Sequence, residues 1–263
     1  MGSYLTAYIS SPWGFGQFRP AVLIPAFFAT IFGPMPAAVG AAIGTLIADS
    51  AKHSCLHMGS LIAAVPGNFI GFFIFGYIVR RRFSWGRFVL ASNITLTLAN
   101  FIVAFLYIFI YKMLYLNDPG YVVMPFHTLL FLSIGLTIWW FVTMLPFVLL
   151  VTPILIKAVV LAVPSVVPED VRTHSITEDI SRGLFSVALL VPGVVMLLIG
   201  LATTYTVFGN YIYTSFGELT YDLVKWMFYL SGGSLSILGI AVYLGRRVSI
   251  RGAAAPKALK DTG

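Results

Sequence analysis

The chain has 263 residues, of which 59% are hydrophobic and only 10% charged, with a formal net charge of +7. A globular domain folded in water carries roughly 25% charged residues, so this composition excludes an ordinary soluble protein. The surplus charge shows no basic face interleaved with aromatics, which argues against a nucleic-acid partner. The single cysteine, Cys55, rules out an internal disulfide and any multi-thiolate metal or iron–sulfur site within the chain.

Long apolar stretches alternate with short segments that collect the charges: Arg80-Arg81-Arg82 with Arg87, the 157–182 segment and the tail from Arg246. A backbone in hydrocarbon must satisfy its own hydrogen bonds. The expected fold is therefore all-α, a polytopic integral membrane helical bundle forming a single domain over 1–263. About seven transmembrane segments are read, near 20–33, 35–50, 59–79, 88–111, 124–156, 183–208 and 222–245. Residues 1–19 lack the features of a cleavable signal peptide, and the first membrane segment is expected to serve as the insertion signal.

Segments one and two are short, about fifteen residues each, and split by the breaker Gly33-Pro34-Met35-Pro36. Two short spans, one broken span and a re-entrant pair all fit. Ala37, Ala38, Gly40, Ala41, Ala42 and Gly44 give the second piece a small-residue surface suited to close helix packing, on a partner subunit or within the chain. Gly67, Gly71 and Gly76 give the third segment another such surface. The fifth segment is longer than one crossing needs; Pro146 and Pro153 are expected to kink it, and its end to emerge near Lys157.

The positive-inside bias places the 80–87 turn, the 157–182 segment and the tail 246–263 in the cytoplasm, the last expected to be disordered. The location is then the cell membrane, multi-pass, with the amino terminus outside, the carboxyl terminus inside, and residues 51–58 external. Pro168-Glu169-Asp170 reads as a helix start, with acids where the helix dipole favours them. That helix either lies on the membrane surface linking two spans or docks a cytoplasmic partner.

Two clusters carry possible chemistry. Asp49, His53 and His57 are spaced i, i+4, i+8, on one face of a continuing helix. Carboxylate and imidazoles suit zinc, copper or iron, but i and i+8 are about 12 Å apart on a helix, so only a pair serves one ion unless the helix breaks. The plainer reading is a polar helix end emerging among headgroups and water. Asn93, Thr97 and Asn100, at i, i+4, i+7, form a polar stripe on the fourth segment, and Asn68 adds an amide on the third. They are either interhelical glue or the lining of a solute site. Haem is disfavoured, since His127 alone lies inside a long apolar segment. Trp139-Trp140 reads as packing or interface anchoring, and Asp222 with Lys225 as an exposed pair. No phosphate-binding glycine loop or nucleophile elbow is present. An ATP-driven process would need its ATPase on another chain.

The run Pro20-Ala21-Val22-Leu23-Ile24-Pro25, then Phe32-Gly33-Pro34, Gly40-Ala41-Ala42-Ile43-Gly44 and Asp49 resembles the membrane substrate-binding (S) components of energy-coupling factor (ECF) transporters. The glycine-rich stretch Gly67–Gly76 and the basic turn Arg80–Arg82 extend the resemblance, which covers residues 20–87. It implies a small-solute-binding integral membrane subunit of a transporter, working with other integral subunits and a cytoplasmic ATPase on separate chains. Asn68, Asn93, Thr97 and Asn100 would then line the site, capped by loop 51–58 with Asp49, His53 and His57. The composition alone also allows a non-catalytic integral subunit of a larger membrane complex of respiratory or oxidase type, or a metal-binding membrane enzyme subunit using Asp49, His53 and His57.

Overall fold

A computed structural model describes residues 19–174 and 182–254. Every regular element among them is helical. Five helices are long and apolar enough to cross a membrane: Ser60–Arg80, Trp85–Tyr115, Phe126–Ala162, Phe185–Tyr205 and Val224–Leu244. They match the last five expected segments, and an all-α membrane bundle follows. The chain divides into two compact units, Met1–His174 and Ser175–Gly263.

Among the described residues of the first unit, a tight 3-10 turn, Pro20–Val22, leads into α1 (Leu23–Phe32). Gly33 breaks the chain at φ +94°, a left-handed region open to glycine, and Pro34 starts α2 (Pro34–His53). α2 has 20 residues, more than expected, because the polar stretch Asp49–His53 continues the helix. It is thus about 30 Å long. It ends where Ser54 turns left-handed at φ +55°.

Next come α3 (Ser60–Arg80) and α4 (Trp85–Tyr115). α3 starts, and α4 ends, in wider π-type turns, Ser60–Ala64 and Leu106–Tyr115. Small residues set the spacing between α3 and its neighbours. A β-carbon on Gly67 would run into Val103, one on Gly71 into Ala99, and one on Gly76 into the backbone of Pro34. Thr95 Oγ1 donates to the Gly71 carbonyl at 3.1 Å. α2 packs most extensively on α3, burying Ala37, Ala38, Ala41 and Ala42, while Gly40 and Gly44 remain exposed.

A short helix, α5 (Pro119–Val122), precedes α6 (Phe126–Ala162). Pro146 and Pro153 are accommodated by a wider π turn over Phe147–Val151, so the helix runs on past Lys157. α7 (Glu169–Thr173) follows, as the Pro-Glu-Asp start predicts. It is tied to the basic turn between α3 and α4: Arg80 pairs with Asp170 at 3.3 Å, and Trp85 Nε1 donates to the His174 carbonyl at 3.3 Å. Phe83 meets the rings of Trp85 and His174 edge to face. The two cation-rich connections therefore lie at one end of this unit.

The second unit contains α8 (Arg182–Tyr205), α9 (Val207–Phe216) and α10 (Glu218–Ala254). α8 and α10 approach closely at Gly193, Gly200, Gly232 and Gly239, and Ser186 Oγ donates to the Gly239 carbonyl at 2.7 Å. Lys225 pairs with Asp222 at 2.6 Å. α10 continues helical through Ala254, into the expected tail. Residues 255–263, the 1–18 stretch, and Glu178 and Asp179 lie outside the described residues.

Candidate solute site at the junction of two cavities

The polar end of α2 emerges only in part, with His53 exposed and Asp49 turned inward. Asp49 is only 3% exposed. Its carboxylate takes two contacts from Arg19 Nη2, at 3.1 and 2.9 Å, and a third hydrogen bond from the Ser60 hydroxyl at the start of α3. A buried carboxylate persists only when paired and hydrogen-bonded, and here both conditions are met. Arg19 sits just ahead of the Pro20–Val22 turn, so the lead-in to α1 is fastened to the end of α2.

The two histidines sit around this pair in different ways. His53 is exposed, and its Nδ1 contacts the Asp49 carbonyl at 2.8 Å. Beyond the left-handed Ser54 the chain folds back, and the His57 ring stacks on His53 with centroids 4.3 Å apart. The backbone N–H of Ser60 donates to His57 Nδ1 at 3.1 Å, and the His57 N–H donates to Ser50 Oγ at 3.1 Å. Burial, reinforced by the neighbouring His53, pushes the His57 imidazole below its ordinary value. The helix break does bring His53 and His57 together, but the Asp49 carboxylate is occupied by Arg19 and Ser60. Among the described residues, no three His, Cys, Asp or Glu side chains are grouped to hold a metal ion.

The Asn stripe on α4 divides. Asn100 is buried and its Nδ2 approaches Met144 Sδ at 3.7 Å. Asn93 turns its amide back to the Val89 carbonyl at 2.9 Å, and Thr97 is exposed. The inward face of α4 carries Ser92, Thr95, Leu96, Ala99, Asn100 and Val103 instead. Asn68 on α3 does face inward, donating to Thr45 Oγ1 on α2 at 3.0 Å. Trp139 and Trp140 are buried.

Two cavities occupy this interior. One, of about 350 Å³, is mostly apolar, with walls that include Phe28, Gly40, Ala41, Phe72, Leu96 and Ala99. The other, of about 210 Å³, is polar, with Asp49, Lys52, His53, His57, Ser60, Tyr107 and Trp140 in its walls. Arg19, Asn68, Asn100 and Met144 line both. The spaces therefore adjoin at two amides and a guanidinium. Neither Asn93 nor Thr97 reaches either cavity.

Sequence reasoning missed Arg19, Thr45, Ser60, Thr95, Tyr107 and Met144. One signal was available for the first: Arg19 is the lone basic residue before Lys52, and Asp49 the lone acidic residue before Asp118. Two opposite charges isolated in apolar sequence are candidates for pairing. The Ser60 hydroxyl donates to the Asp49 carboxylate and also lies 3.0 Å from His57 Nδ1, so it ties the carboxylate and the imidazole into one polar group. Comparison of the chain with protein-family models, with curated proteins and with solved structures finds no match.

Proposed function

We propose that this chain is a small-solute-binding integral membrane subunit of a transporter, similar to an S component of ECF transporters. The observation that carries the reading is the pair of adjoining cavities, walled by α1, α2, α3, α4 and α6, with the amides of Asn68 and Asn100 at the junction. A small-molecule site of this kind is mostly apolar with a few convergent polar groups. In this reading α1 and α2 complete a set of seven spans in the cell membrane, with the amino terminus outside and the carboxyl terminus in the cytoplasm. Loop 51–58 caps the site from outside. Coupling to energy is supplied by other integral subunits and a cytoplasmic ATPase on separate chains.

The test is extraction of the purified full chain in lipid nanodiscs, followed by mass spectrometry of what it releases. A stoichiometric small organic molecule, lost in Asn68→Leu and Asn100→Leu variants of unchanged melting temperature, is the expected result. A chain that carries no small molecule and co-purifies only with redox or structural subunits overturns the reading in favour of a non-catalytic subunit of a larger complex.

A further inference from the structure

The larger cavity is an apolar space with one polar group left over. Apart from Arg19, Thr45, Asn68, Thr95 and Asn100, its walls are apolar side chains and glycine. Four of those five are engaged by neighbours: Arg19 by Asp49, Asn68 by Thr45 at 3.0 Å, and Thr95 by the Gly71 carbonyl at 3.1 Å. Asn100 is the exception. It is 5% exposed, and among the described residues its side chain makes one hydrogen bond, from Nδ2 to the Met144 thioether at 3.7 Å. A thioether is a weak acceptor. The Asn100 carbonyl oxygen, Oδ1, receives no donor from the described residues. A buried amide in that state costs free energy that an incoming hydrogen-bond donor recovers.

Charge and access narrow the class further. Among the described residues the walls carry no carboxylate, and their cation, Arg19, is already bound to Asp49. A cationic solute would find no counter-ion there, and an anionic one would have to displace Asp49 from Arg19. Burying an unpaired charge is costly either way. Ile24, Phe28, Pro36, Gly40 and Gly44 line the cavity and are exposed, so it opens between the outer faces of α1 and α2. Nothing lies within 4 Å of where a β-carbon would sit on Gly40 or Gly44. Resting on the solute-binding reading above, in which α1 and α2 lie in the membrane, we infer that the solute is a neutral, lipid-soluble molecule that enters from the bilayer between α1 and α2, fills the larger cavity with its apolar body and donates one O–H or N–H to Asn100 Oδ1.

The experiment uses the full chain in phosphatidylcholine nanodiscs, with β-naphthol as the probe and empty nanodiscs as the background. Two compounds share its ring: β-methoxynaphthalene, whose donor is capped, and β-naphthoate, an anion at neutral pH. Saturable naphthol binding is expected, with each of the others weaker by about tenfold or more, a preference of about 1.4 kcal/mol. Asn100→Leu should remove the preference for naphthol over its methyl ether by weakening naphthol alone. Gly40→Trp should weaken both by obstructing the mouth, in a variant that retains its melting temperature because that position has open space around it. Methoxynaphthalene binding as tightly as naphthol, or a preference that survives Asn100→Leu, overturns the donor assignment while solute binding stands. Naphthoate binding better than naphthol overturns the neutral class, and unchanged naphthol affinity in Gly40→Trp overturns entry between α1 and α2. Failure of all three to bind, with a water-soluble molecule recovered on extraction, overturns the lipid-soluble class and leaves the solute-binding reading intact. Failure to bind and nothing recovered removes both.

Discussion

Arg19 and Asp49, thirty residues apart, form a two-point ion pair in which one guanidinium nitrogen reaches both carboxylate oxygens. The pair closes the α1–α2 hairpin on itself, from just before the Pro20–Val22 turn to the last turn of α2. Breaking one partner leaves the other charge buried, which costs about 3–5 kcal/mol. Arg19→Gln is therefore expected to lower the thermal midpoint strongly, and Asp49→Asn to do the same. The double variant Arg19→Gln/Asp49→Asn should recover much of the loss, with a coupling energy of about 2 kcal/mol from the four-variant cycle. Simple additivity of the two single changes would contradict the pair.

Two glycines are expected to respond in opposite directions to the same change. Gly76 lies against the backbone of Pro34, which cannot move aside as a flexible side chain would. Gly76→Ala should therefore cost about 1–3 kcal/mol by overpacking the α2–α3 contact. Gly40 is helical and has open space around it. Gly40→Ala should stabilise by about 0.5–1 kcal/mol through the reduced entropy of the unfolded chain. Thermal melting in detergent reports both, and a stabilising Gly76→Ala would refute the close approach.

His57 gives stability a pH dependence of known sign. Its folded pKa is depressed below 6.5 by burial and by His53, while the unfolded chain titrates near the ordinary value. Between those two values the unfolded state holds the extra proton, so stability rises with pH across the window. It is fully present above about 6.5, declines as pH falls toward the folded pKa, and levels below it. A pH series of melting temperatures should show this decline in the native chain and a shallower one in His57→Gln. Equal slopes in the two would assign the effect elsewhere.

How much of this was legible follows the range of each interaction. The long apolar segments and the Gly33-Pro34 break are local signals, and both are read correctly from spacing alone. So is the packing role of Gly67, Gly71 and Gly76, because a small-residue surface has little use except close approach. The candidate site was legible only in part. Asn68 and Asn100 reach the cavities, but Asn93 and Thr97 share a helical face that does not, since side-chain spacing defines a face without saying which way it points. The Asn93 amide satisfies itself on the Val89 carbonyl, an option that spacing cannot weigh against an interhelical partner. Asp49 was read as part of an emerging polar end because its partner Arg19 is distant in sequence. The left-handed Ser54, which brings His57 back over His53, has no sequence signature beyond a residue type that tolerates turns. The division at 174/175 falls in the charged 157–182 segment, which reads equally well as a connection between two spans of one bundle.

The exposed Cys55 supplies a direct assay of orientation. It precedes α3, while Arg82 follows α3, so the two sit at opposite ends of a helix of 21 residues. Arg172 belongs with Arg82, because the Arg80–Asp170 pair and the Trp85–His174 hydrogen bond join their segments. In right-side-out vesicles a membrane-impermeant maleimide is expected to label the native chain at Cys55. In a Cys55→Ser background, Arg82→Cys and Arg172→Cys should be labelled only in inverted vesicles, as the Lys and Arg bias requires. Both positions are exposed, so reactivity is not limited by burial. Reversal of all three results would invert the orientation and leave the fold standing. Labelling of Arg82→Cys and Arg172→Cys from different sides would break the fold itself, since no arrangement that keeps those two contacts can place the segments on opposite faces of a bilayer.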